Sequence, residues 1–396
     1  MTDFLGRRYD NGLPVRVRVA AGKIAAVEPL TGQPDVASLP WIAPGLIDMQ
    51  VNGYGGVEFN SPDLTTGHVR QVCDRLLAFG VTRFLATCTT DSYEHFEHSF
   101  RVLAEARRTD SLVAASIAGI HQEGPHISPV DGPRGAHPLV HVRPPEVGEY
   151  ERLQEAADGS IKLITISPEY DSAPDFIRRV VTDGVIVAIG HTNANSAQIA
   201  AAVAAGATMS THLGNGAHPL IKRHPNYIWD QLADDRLTAS LIVDGHHLPP
   251  AVVKSMVRAK TLSRVVLVSD LTGLAGMPAG RYDSPLGSVE LLPEGKLVVA
   301  GQRDLLAGAA MCLPGNVVNL QKFAELDQGA AIDAASVRPA ALLGEGNYGL
   351  VPGSRADFFL FQSRGEETPA EARWKVQTTV QLGELVYDTH SNKLPA

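Results

Sequence analysis

Cysteine is scarce. The 396-residue chain has three, Cys73, Cys88 and Cys312, an odd and widely spaced set that argues against a disulfide framework and against a cysteine-based zinc site. Each is read as a small buried residue. No stretch approaches the ~18 uncharged apolar residues of a membrane helix. The leading MTDFLGRRYDNG has no apolar signal core, so the expected setting is the cytoplasm, without membrane contact. Basic runs are missing too. With 34 Lys and Arg against 43 Asp and Glu, a formal charge of −9, the chain offers no nucleic-acid surface, and an anionic substrate has to be held by a few placed residues. Neither an internal repeat nor a disordered linker is visible.

What is present is a large apolar fraction, 44%, against 19% charged residues, enough for an α/β barrel with a smaller satellite domain. The chain is organised around Gly184 to Gly216. Val185 to Ile189 is an unbroken apolar run, the pattern of a strand covered on both faces, and His191 follows it. Asn195 and Ser196 can cap a helix over Ala197 to Ala205, Gly206 stops it, and Ala207 to Thr211 reads as a second strand ending at His212. A strand, helix, strand unit of this length is a right-handed parallel crossover, which brings both histidines to one sheet edge.

Either histidine alone reads first as a capped or satisfied loop residue. Two in register point to a metal, because imidazole suits zinc or ferrous iron and catalytic sites keep about three protein ligands. The rest of the chain fits a (β/α)8 TIM-type barrel of the α/β class. Strands are expected at 46–51, 81–87, 113–120, 161–166, 185–189, 207–211, 238–243 and 265–268. Helical patterns are expected at 65–79, 92–108, 146–157, 173–182, 195–205 and 249–260, and less clearly at 217–236. Residues 281–300 read as a hairpin, and 315–343 as two more helices. Short alternating segments at both ends predict a small β-sandwich domain from 1–45 and 345–396, with the barrel, 46–344, inserted between them.

The active site of such a barrel is built at the carboxyl ends of its strands. After the third strand stands His121-Gln122-Glu123-Gly124-Pro125-His126, where Glu123 is the expected third ligand and His121 either a further ligand or a hydrogen-bond partner behind the ligands. Asp270, directly after the apolar RVVLV, reads either as a cap or as a general base facing a metal-activated water. One histidine of Asp244-Gly245-His246-His247 should enter the mouth. Gln50 and Asn52 share a strand face and should line the site, since amides are poor ligands. Arg223 is either a plain surface residue or, with Asn215 and the Gly216 backbone, a phosphate clamp.

With these pieces in place the chain resembles the amidohydrolase superfamily and, within it, the deacetylases of amino-sugar phosphates. The likeness rests on PGLIDMQVNGYGG (44–56), HQEGPHIS (121–128), RGAHP (134–138), GHTNA (190–194), THLGNG (211–216), DGHH (244–247), VSD (268–270), LLAGAAM (305–311) and PGSRADF (352–358). It implies one divalent ion, zinc or else iron, on Glu123, His191 and His212, with Asp270 as acid and base. It also implies substrate contacts by Ala136, His137, Asn215, Gly216, Arg223 and His247, with Leu306, Ala307 and Gly308 in a loop over the substrate, and a homodimer in which His137 can reach across. The implied reaction is metal-dependent removal of the acetyl group of N-acetylglucosamine 6-phosphate. The alternatives are N-acetylgalactosamine 6-phosphate or an unphosphorylated N-acyl amine. Much of the superfamily has His-x-His after the first strand; Gln50 and Asn52 stand there instead, like the single-metal branch.

Overall fold

A computed structural model of the chain describes residues 1–32, 35–284 and 287–389. Residues 390–396, the end of the expected C-terminal segment, and 285–286, within the expected hairpin, lie outside them. Eight strands pair in parallel and in chain order: Leu46–Val51, Val81–Thr89, Ile117–Glu123, Ile161–Ile166, Ile186–Ile189, Met209–Ser210, Thr238–Leu241 and Val265–Leu267. The ring closes just past its last strand, where Asp270 N–H donates to the Gln50 carbonyl at 3.0 Å and Asn52 N–H to the Leu271 carbonyl at 2.7 Å. Met49, Leu85, Leu163, Ala188, Met209, Ile242 and Val266 form one buried cluster with Ala118 packed against it, one side chain for each strand position of the ring. They fill the barrel interior below its mouth.

The helices pack outside because their apolar residues recur at helical spacing. In Thr66–Leu77, Val69, Val72, Cys73, Leu76 and Leu77 are buried, and Thr65 caps the start by accepting from His68 N–H. Each such burial contributes about 1.5–3 kcal/mol. The helix after the fifth strand, Ser196–Ala205, has a capping box between Asn195 and Gln198 and ends at Gly206 with φ 119°.

Four expectations are corrected. The third strand begins at Ile117, not at residue 113, because Asp110 accepts from Leu112 and Val113 N–H and starts a short helix, Ser111–Ser116. The same strand runs on to Glu123 instead of ending at residue 120, so His121 and Glu123 lie within it, two apart on one face. The hairpin is a four-stranded antiparallel sheet, Gly280–Ser284, Gly287–Leu291, Leu297–Val299 and Gln302–Leu306. The region 315–343 holds three helices instead of two, Leu313–Ala324, Gln328–Asp333 and Val337–Leu342, since Glu325 turns left-handed and Asp327 caps anew. The unclear segment 217–236 condenses to Tyr227–Ala233.

Strands from both ends form one seven-stranded ladder in the order Glu384–Asp388, Trp374–Gln381, Phe358–Ser363, Trp41–Pro44, Thr2–Arg8, Pro14–Ala20 and Lys23–Pro29. All neighbours are antiparallel except Thr2–Arg8 with Trp41–Pro44. The ladder curls back on itself: Ala356 N–H donates to the Gly22 carbonyl, and Gly383 N–H to the Ala356 carbonyl. No described helix is long and apolar enough to cross a membrane.

Candidate active site

Three strand ends deliver three donors to one point. Glu123 closes the third strand, and His191 and His212 follow the fifth and sixth. Glu123 Oε1 lies 3.2 Å from His191 Nε2 and 3.0 Å from His212 Nε2, while the two Nε2 atoms are 3.2 Å apart. All three residues are buried. Both histidines and Asp270 occupy left-handed backbone, φ 47°, 27° and 55°. Such strain costs on the order of 1–3 kcal/mol per residue and persists where the surroundings dictate it. Here it turns each side chain from the strand direction into the mouth.

The donor chemistry fits a divalent cation. His191 Nδ1–H donates to the Pro133 carbonyl at 2.9 Å, which leaves a lone pair on Nε2. Two imidazole nitrogens and a carboxylate oxygen then face one another at hydrogen-bond distance with too few protons to share among them, and two nitrogens with one oxygen are a set that zinc and ferrous iron accept. Burial would raise the Glu123 pKa, but the two imidazoles beside it, His191 and His212, hold it well below the carboxylate range. Among the described residues this is the one group of three or more metal-capable side chains.

Asp270 faces the same cavity. Its Oδ1 accepts from Asn52 Nδ2 at 2.8 Å and Gln50 Nε2 at 3.1 Å, so the two amides of the first strand hold the acid. Burial first, and then the charge of Glu123, push its pKa up to about 6. Behind it Asp48 is fully buried, accepting from the Gln50 and Ser269 N–H groups, with a pKa raised to about 7 by burial.

A cavity of about 290 Å³ opens above these groups. Ala136, His137, Asn215, Gly216, His247, Leu306, Ala307 and Gly308 all line it. His137 comes from the same chain as the three donors. Its Nδ1 pairs with Thr90 Oγ1 at 2.8 Å and its ring meets His191 edge-on at 4.4 Å; burial pushes its pKa down to about 3. Of the paired histidines, His247 is the one that enters, oriented by Nδ1–H donation to Asp244 Oδ2 at 2.7 Å, while His246 contacts the Glu294 carbonyl. His121 stands behind the donors: its Nε2 pairs with Thr165 Oγ1 at 2.7 Å, and Thr165 with Thr211 beside His212.

Arg223 does not join them. It is exposed and outside the cavity, on the loop 217–226, where Asn226 spends its side chain on the Lys222 and Arg223 carbonyls and on capping the next helix. The sequence reading also missed Glu58, Asn60, Thr89, Ile242, Thr272 and Leu274, and Val289, Leu297 and Leu305 from the four-stranded sheet, all of which line the cavity. Apart from Leu305, which opens LLAGAAM, none carried a motif. The acid in Gly-Val-Glu-Phe-Asn, just beyond Gln50 and Asn52, was the one available signal.

The amidohydrolase family model matches residues 41–386. An N-acetylglucosamine-6-phosphate deacetylase of Bacillus subtilis (strain 168) is 31% identical, over 78% of this chain and 78% of that one. An N-acetylgalactosamine-6-phosphate deacetylase of Escherichia coli O157:H7 is also 31% identical, over 88% and 90%. In structure, a mutant N-acetyl-D-glucosamine-6-phosphate deacetylase from Mycobacterium smegmatis, solved with N-acetyl-D-glucosamine-6-phosphate, superposes with a TM-score of 0.83 at 29% identity, covering 98% of this chain and 100% of that one.

Proposed function

The chain belongs to the amidohydrolase family, and from that premise we propose that it hydrolyses the N-acetyl group of N-acetylglucosamine 6-phosphate, giving glucosamine 6-phosphate and acetate. One observation carries the reading: Glu123, His191 and His212 converge at hydrogen-bond distance beside a cavity that also presents Asp270. The named relatives act on amino-sugar phosphates, which supports the substrate class.

Glu123, His191 and His212 would hold the ion, with zinc the proposed metal. When bound, such an ion supplies Lewis acidity, lowering the pKa of water to about 7 and polarising a carbonyl. Asp270, kept in place by Gln50 and Asn52, takes a proton from the water that attacks the acetyl carbon and returns it to the amide nitrogen as the C–N bond breaks. A raised pKa near 6 suits a group that must hold and release a proton. His137, His247, Ala136 and the Asn215–Gly216 backbone bind the rest of the substrate, so binding energy far from the scissile bond fixes its orientation. Leu306 to Gly308 cover it.

A homodimer and a cytoplasmic setting belong to the same proposal. Arg223 is exposed and does not line the cavity of its own chain. The E. coli relative favours a second reading, with N-acetylgalactosamine 6-phosphate as substrate. Acetate release by metal-loaded enzyme, measured with both sugar phosphates and with unphosphorylated N-acetylglucosamine, decides among them. Equal kcat/KM with and without the phosphate rejects the sugar-phosphate assignment.

A further inference from the structure

Besides Glu123 and Asp270, the cavity holds a third carboxyl group, which the proposed hydrolysis leaves unused. Glu58 lies half-buried in the wall, at the end of the short hairpin Gly53–Tyr54 and Val57–Glu58 that leaves the first barrel strand. Its position is fixed from two sides. Gly273 N–H donates to Oε1 at 2.7 Å, and a Cβ on Gly273 would lie 2.8 Å from Glu58 Cγ and 2.6 Å from the Val57 carbonyl oxygen, so loop and hairpin are packed backbone to side chain. That loop comes directly from Asp270. On the other side, Glu58 pairs with Gly53, the neighbour of Asn52, whose amide holds Asp270. Glu58 and Asp270 thus stand at the same end of the cavity.

Among the described residues Gly273 N–H is the one hydrogen-bond partner of the Glu58 side chain, which leaves Oε2 to whatever enters. An acid in such a place has no packing reason to be there, since carboxyls are seldom withdrawn from water without a partner. Burial pushes its pKa up to about 8, so near neutral pH the group carries a proton and can donate as well as accept. That matches a hydroxyl.

We propose that Glu58 is a specificity residue whose Oε2 hydrogen-bonds the sugar hydroxyl beside the acetamide carbon, at C1 or C3. The inference rests on the deacetylase reading. In a 2-acetamido-hexose 6-phosphate, C1 and C3 flank the carbon bearing the amide, while the phosphate leaves from the far side of the ring. With the amide at Asp270 and the phosphate toward Asn215 and Gly216, a flanking hydroxyl meets Glu58. The C4 hydroxyl, where glucosamine and galactosamine differ, lies on the phosphate side and escapes it.

The test is a cycle of enzyme and substrate changes. Metal-replete wild type, Glu58→Ala and Glu58→Gln are assayed for acetate release from N-acetylglucosamine 6-phosphate and its 1-deoxy and 3-deoxy analogues. Wild type should lose about 10–100-fold in kcat/KM on one analogue, and Glu58→Ala a similar factor on the parent sugar, the size of one hydrogen bond to a polar group. On that analogue Glu58→Ala should lose little more, because the partner is already gone. Glu58→Gln, which still bonds a hydroxyl and the Gly273 N–H, should retain most activity, and it carries the test if the alanine variant does not fold. Additive losses, or a variant that falls equally on parent and both analogues, overturn the assignment. Wild type that releases no acetate from the parent overturns the deacetylase reading itself, a result distinct from any variant effect.

Discussion

Asn52 donates from Nδ2 to Oδ1 of Asp270 across 2.8 Å, joining the first barrel strand to the residue that follows the eighth. An amide at that position supplies a proton without adding charge. Asn52→Asp would set a carboxylate against Asp270 at hydrogen-bond distance and raise the pKa of the pair. Its kcat/KM at pH 7 should fall by about 100-fold, with the acid limb of the pH–rate profile moving to higher pH. Asn52→Ala, which only loosens Asp270, should cost about 10-fold without that movement. A pH profile unchanged by Asn52→Asp would dismiss Asp270 as the proton carrier.

Metal content gives a second check. Wild-type enzyme should bind one divalent ion per chain, and His191→Ala or His212→Ala should bring that count toward zero. Removing the ion with a chelator should abolish acetate release and lower Tm, because a ligand that binds only the folded state at 100 times its Kd stabilises it by about 2.7 kcal/mol. Calorimetry and elemental analysis measure both. Two ions per wild-type chain would contradict the roles given to Gln50 and Asn52.

Gly216 sets a constraint on His191 that contacts no ligand atom. Its φ is 55°, and a Cβ there would come within 2.6 Å of His191 Nδ1, the nitrogen that donates to Pro133. Gly216→Ala should therefore push the imidazole off its carbonyl and weaken metal affinity by about 10–100-fold, although all three donors remain. Competition titration against a chelator reads the change directly.

Much of this arrangement was legible beforehand, and the reason lies in which residues carry periodic or punctuating information. Val185 to His191, and Asn195 through Gly206, announce strand, cap and stop locally, and the structure follows them. The start of the third strand was not legible, because Val113 is apolar in either state and the hydrogen bonds of Asp110 decide between them. Spacing alone could not tell His247 from His246; the resemblance chose His247, and the structure shows Asp244 orienting it. Glu58 and the apolar wall of Val289 and Leu297 reach the cavity through tertiary packing alone, to which no spacing in the text corresponds.

The buried carboxyl of Asp48 predicts a pH dependence of stability. Its folded pKa, raised by burial to about 7, lies above the unfolded value, so the folded state binds the extra proton between the two. Stability should decline as pH rises from about 4 to about 7, by at most a few kcal/mol from this group. Asp48→Asn keeps acceptors for the Gln50 and Ser269 N–H groups and should flatten that slope. Urea midpoints of chelated protein at pH 4.5 and 7.5 measure it, and identical slopes in the two proteins would refute the assignment.

The strand Phe358–Ser363 is hydrogen-bonded to Trp41–Pro44, immediately before the chain enters the barrel at Leu46. During synthesis the earlier partner leaves the ribosome roughly 300 residues ahead of the later one, which at about 5–20 residues per second is a wait of roughly 15–60 s with an open edge. The nascent chain therefore needs either a temporary cover for residues 41–44 or a barrel able to wait unanchored. A message cut short near its end would yield a protein that keeps every donor and acid of the mouth yet leaves that edge unpaired, an invitation to aggregate.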